Sequence, residues 1–169
     1  MKKYDLAIND LKEAERLNPN SVSTLSNIGL SYGKMGNFDS AIEYYLKAIE
    51  KQKRLSTIMN LSEAYICKRD YTSAERWANE SYSMSTDIRD KVISKFLLVT
   101  TLILSNKEYK LELKSIINML RDNPDFEIGT WSSEELLGCL ADPSVPQEKT
   151  VLVKKLIALL KKEISPENF

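Results

Sequence analysis

Apolar and small residues recur along the first half of this chain with a period of about 34. An aromatic residue, two others and an alanine appear as Tyr4-Asp5-Leu6-Ala7, Phe38-Asp39-Ser40-Ala41 and Tyr71-Thr72-Ser73-Ala74, spaced by 34 and then 33 residues. Four residues after each alanine stands Leu11, Tyr45 or Ala78, and three further on a small residue, Ala14, Ala48 or Ser81. Positions separated by four and three residues share one face of an α-helix. Small side chains on that face let a second helix approach closely. A repeat of this length built from helices predicts units that bury their faces only against the next unit.

The stretch from Val22 to Lys53 holds one complete unit: Leu25, Ile28-Gly29, Tyr32, Gly36, Phe38, Ala41, Tyr45 and Ala48. The pattern predicts a first helix over about 23–35, a turn at Gly36-Asn37, and a second helix over about 40–51. A side chain at position 29 would block the second helix from packing against the first, and Ser62 takes that place in the following unit. Pro19 stops the helix before the complete unit. These residues resemble the tetratricopeptide repeat. The resemblance implies an all-α, right-handed helical-hairpin solenoid, with repeats over 1–121 (half repeat 1–20, full repeat 22–53, repeat 56–84, divergent repeat 87–121). Residues 122–169 would form a C-terminal helical cap.

Beyond Met84 the pattern loosens. Ser85 or Thr86 is a candidate cap for a long helix over 87–105, whose apolar residues (Ile88, Val92, Phe96, Val99, Ile103, widened by Leu97, Leu98, Leu102 and Leu104) predict burial on most sides. A further helix over about 110–121 places Leu113, Ile117 and Leu120 at the small-residue positions, with a register open by one residue. Ser132 with Glu135 reads as a capping box for a short helix to Leu140. An amphipathic helix over about 147–164 follows, with Val153, Leu156, Ile157, Leu160 and Ile164 on one face. A cap for the solenoid is the reading preferred over a helix lying on a membrane surface.

The first repeat begins at its second helix, which predicts either a piece of a longer array or a homodimer through the N-terminal helix. Twenty-four basic and 24 acidic residues cancel, so no overall field draws in nucleic acid or an anionic membrane. No histidine is present, which removes the commonest general base and zinc ligand. No phosphate-binding loop, nucleophile elbow or metal-ligand spacing appears. No enzymatic activity, catalytic residue, metal or cofactor is therefore expected. Cys67 and Cys139 are read as reduced packing residues, and the location as cytoplasmic.

The resemblance implies function on the inner face formed by the first helix of each hairpin, where a protein or peptide partner would bind. Carried onto this sequence, that face comprises Asn27, Leu30 and Lys34 in the complete unit, Met59, Asn60, Glu63 and Ile66 in the next, and Thr101 in the long helix. Members that grip a partner's C-terminal carboxylate need cations at slots that here hold Ser26 and Leu30, Ser56 and Asn60, or Ser94 and Leu98. No such clamp is expected. The alternative reading is a regulatory or oligomerisation segment of a larger multidomain protein, an enzyme or a receptor whose active part lies elsewhere.

Overall fold

A computed structural model describes residues 2–129, 131–167 and 169. It is helical throughout, with no strand among the described residues: α1 (Lys2–Leu17), α2 (Val22–Lys34), α3 (Phe38–Lys51), α4 (Leu55–Lys68), α5 (Tyr71–Met84), α6 (Ile88–Leu104), α7 (Lys110–Asp122), α8 (Glu134–Leu140) and α9 (Gln147–Leu160). The helices divide into two compact units, residues 1–77 and 78–169, with the division falling inside α5.

In the first unit α1 packs on α2, α2 on α3, and α3 on α4, while α2 also touches α4. This is hairpin stacking of the predicted kind, and the small residues explain it. Ala41, Ala48 and Ala74 have no solvent exposure. A Cβ added to Gly29 would lie 2.7 Å from two ring carbons of Tyr45 and 3.2 Å from the carbonyl oxygen of Ala41. One repeat later, the Ser62 hydroxyl donates to the carbonyl of Ala74 at 3.0 Å. Positions 29 and 62 thus face equivalent carbonyls, one by bare contact and the other by a hydrogen bond. The first repeat fills the space with the Tyr45 ring, and the second carries Ala78 at the matching sequence position.

Turn chemistry sets the helix ends. Gly36 takes φ +77°, a left-handed conformation that favours glycine. Asn37 has negative φ and acts instead as the N-cap of α3, its side chain accepting from the Ser40 N–H at 3.2 Å. Asp70 performs the same service for α5 by accepting from the Ser73 N–H at 3.1 Å. On the side of α2 that carries Tyr32, α1 and α3 are fastened by aromatic contacts. Tyr32 and Tyr44 stack at 5.8 Å, Lys12 lies 5.8 Å from the Tyr32 ring, and Lys47 lies 4.6 Å from the Tyr44 ring.

The second unit is organised around α6, in which every residue from Val92 to Leu104 is buried, as its apolar excess predicts. Both α7 and α9 pack on it. Phe96 meets Trp131 edge to face at 5.1 Å, and Lys149 donates to the Leu104 carbonyl at 2.8 Å, satisfying an acceptor in the last turn of α6. Lys95 is buried on the same helix, with Nζ 2.6 Å from Glu112 and 4.1 Å from the Tyr82 ring centroid. The apolar side of α9 (Val153, Leu156, Ile157, Leu160) is buried within the chain, so it is not a surface offered to lipid.

Several local expectations are corrected. Asp87, not Ser85 or Thr86, caps α6 by accepting from the Asp90 N–H at 2.9 Å, because a carboxylate competes best for those N–H groups. Ser132 accepts from the Glu134 N–H at 3.3 Å, one residue short of a capping box, and Ser133 takes the N-cap position of α8. In α7 the fully buried residue is Ile116, with Ile117 only partly covered, so the register shifts by one. Helix α9 stops at Leu160 because Lys162 adopts φ +58°, and the Glu163 N–H closes onto the Ala158 carbonyl at 2.9 Å. Among the described residues no cysteine is a free thiol, which overturns the reading of Cys67 and Cys139 as reduced. Spacing along the chain does not decide thiol oxidation. No helix is long and apolar enough to cross a membrane among the described residues.

Candidate functional site

Helix α2 separates its faces clearly. Leu25, Ile28, Gly29 and Gly33 are buried. At 100° per residue, Ser23, Asn27, Leu30 and Lys34 fall within about 60° of one another on the side left open. Ser23, Asn27 and Leu30 are exposed, and Lys34 is half-buried. Leu30, 36% exposed, is the apolar residue of this strip. The Ser31 hydroxyl turns inward to the Asn27 carbonyl at 2.9 Å, which spends its polar group within the helix.

Helix α4 lies beside α2 and continues the surface. The two are joined by hydroxyls, Ser26 to Thr57 at 2.9 Å. Arg54, the N-cap residue of α4, reaches across to donate from Nη1 to the Ser23 hydroxyl at 2.8 Å, and from Nε to the Gln52 side-chain oxygen at 3.3 Å. On α4 the accessible strip consists of exposed Ser56 with half-buried Asn60 and Cys67. Near the far end, Tyr65 is only part-buried, yet burial is the main cause that raises its phenol above the ordinary value, helped by the charge of Asp70.

The eight residues expected on one open surface therefore fare differently. Asn27 and Leu30 are exposed, and Lys34 and Asn60 are half-buried and still reachable. Met59 (7% exposed), Glu63 and Ile66 are buried, so their expected exposure is corrected. They lie within about 60° of one another around α4, on a single covered side, whereas Ser56 and Asn60 lie on the next side round. Thr101 is fully buried in α6 and donates its hydroxyl to the Leu97 carbonyl at 2.8 Å. The repeat register puts these positions on α2, α4 and α6, but it does not reveal which side of α4 is covered. Arg54 was missed because it stands in the connection before α4, outside the periodic pattern. The signal that could have found it is the basic run Lys51-Gln52-Lys53-Arg54.

Stacked hairpins with glycine or serine at the helix crossing and a half-open first-helix face define a helical-hairpin repeat protein. Residues 22–54 match the family model described as tetratricopeptide repeat, and residues 1–36 match a second described as TPR repeat. Both matches fall within residues 1–54, and it is this segment that carries the tetratricopeptide repeat. A search of curated proteins finds no match. Repeats of this family generally mediate protein–protein interaction.

Proposed function

We propose that the first unit is a non-enzymatic protein-binding module whose contact surface is the open side of α2 continued by α4. The observation that carries this reading is the strip Ser23, Asn27, Leu30 and Lys34. It keeps one apolar and several polar side chains accessible while its neighbours on the helix are packed away. A surface of this kind suits a partner segment seated by an apolar contact and oriented by amides that both donate and accept. Asn27, Leu30, Lys34 and Asn60 are the contact residues of the proposal. Met59, Glu63 and Ile66 are buried on the covered side of α4 and Thr101 is buried within α6, so none of the four is a contact residue of the proposal.

The test is site-specific photo-crosslinking in the source cells, with a benzophenone amino acid at position 27 or 30 and a control at Leu111, exposed on α7. A discrete adduct from positions 27 and 30 alone supports the reading. Equal labelling from all three positions, or none, refutes it. Pairing of two copies through α1 has less behind it. Leu6 and Leu17 are exposed on one side of α1, but Asp10 and Glu13 stand between them on that side, so no continuous apolar stripe is on offer.

A further inference from the structure

Arg54 is exposed, and among the described residues its guanidinium meets no carboxylate. Its two contacts among the described residues, Ser23 and Gln52, are neutral oxygens that fix the planar group at the edge of the α2–α4 surface without answering its charge. A guanidinium has five N–H donors, so three remain after these bonds. The local balance is positive as well: residues 50–54 hold Lys51, Lys53 and Arg54 against Glu50 alone. The side-chain amides of Asn27 and Asn60 make no hydrogen bond among the described residues either. Reachable amides not already bonded within the chain match a ligand whose own main chain is unbonded. That is a property of extended segments, because helices spend those groups internally.

Resting on the protein-binding reading above, we propose that the partner segment is extended and acidic. An Asp or Glu pairs with Arg54, and an apolar residue three positions away sits on Leu30. The spacing follows from the helix. Ser23, which holds Arg54, and Leu30 are seven residues apart on α2, about 10 Å. A polyproline-like extended chain returns a side chain to the same side every three residues, about 9 Å. The mode differs from a grip on a chain terminus, since the acidic group is a side chain within the segment and a single cation receives it.

The experiment pans a phage-displayed library of random 16-residue peptides against the full chain. The best synthetic peptide is then measured by fluorescence anisotropy against wild type, Leu30→Asp, Arg54→Gln and Arg54→Glu, each checked for native circular dichroism. Selected peptides should share an acidic and an apolar residue three apart. Arg54→Gln should weaken binding at least tenfold, Arg54→Glu should abolish it, and a peptide with Lys in place of its acid should bind Arg54→Glu again. Binders lost on Leu30→Asp but indifferent to both Arg54 variants would overturn the acidic pairing and leave the surface intact. No binders, or binders indifferent to Leu30→Asp as well, would overturn the protein-binding reading and this proposal with it. Equal binding of a scrambled peptide of the same composition would reduce the effect to general charge attraction and also overturn it.

Discussion

Replacing Gly29 with alanine sets two known effects against each other at one atom. Alanine is the better helix former by about 1 kcal/mol. Its Cβ, however, would sit 2.7 Å from two carbons of the Tyr45 ring, where unstrained carbon contacts lie at about 3.5–4.0 Å. The ring is 2% exposed and hemmed in by the α2–α3 packing, so it has little room to retreat. Overpacking of this kind costs about 1–3 kcal/mol, and with contact to two ring atoms and the Ala41 carbonyl the upper part of that range applies. The net expectation is a loss of about 1–2 kcal/mol, read as a lower urea midpoint at unchanged slope. The second repeat supplies the control, since it pairs Ser62 with Ala78 at the equivalent positions. Gly29→Ser and Tyr45→Ala should each destabilise, yet the double variant should lose about 2 kcal/mol less than the sum. A more stable Gly29→Ala, or strict additivity in the double variant, would refute the steric account of this crossing.

Three further outcomes are expected. Glu112→Gln should cost about 2 kcal/mol because it strands the buried Lys95 charge, whereas Lys95→Met with Glu112→Leu should lie near wild type; chemical denaturation of the three proteins decides. Thr100 is fully buried and its hydroxyl has no hydrogen-bond partner among the described residues, so Thr100→Val should raise the unfolding midpoint, by roughly 1 kcal/mol in stability. Hydrogen bonds from the Ser73 hydroxyl and N–H hold the Asp70 carboxyl below its ordinary value, and the Asp90 N–H does the same for Asp87. A depressed folded pKa stabilises above the unfolded value, about 3.9, and that contribution disappears as the pH falls through and below it. Asp70→Asn should therefore lower the neutral plateau of a Tm-against-pH profile and flatten its acid limb, the two proteins converging at low pH.

What could be read from the sequence depended on how local the determining physics was. The hairpins were legible because Gly29, Ala41, Ala48 and Ala74 answer a steric demand that few other residues meet, and that demand recurs in phase. Burial of α6 was legible for a similar reason, since its apolar residues leave no polar side. The cap at Asp87 and the register at Ile116 were missed by one or two residues, because neighbouring candidates of similar chemistry compete and tertiary packing chooses among them. Which faces of the first helices stay open was legible only in part. A repeat pattern assigns Met59 and Ile66 to a helix, but the side of that helix that stays open depends on what covers it. Arg54 escaped because a connection has no periodicity, and its significance lies in a bond to a hydroxyl 31 residues away.

The burial of α6 bears on how such a chain can change its copy number. A hairpin of the Val22–Lys51 kind has an open side on its first helix, so a tandem duplication adds a unit that is already soluble. Duplicating the α6–α7 hairpin would add a helix with thirteen consecutive residues that must be hidden, and a single α9 can cover only one such helix. Unequal crossing-over in this half of the gene would therefore yield a chain prone to aggregate, while the same event in the first half would yield a longer array.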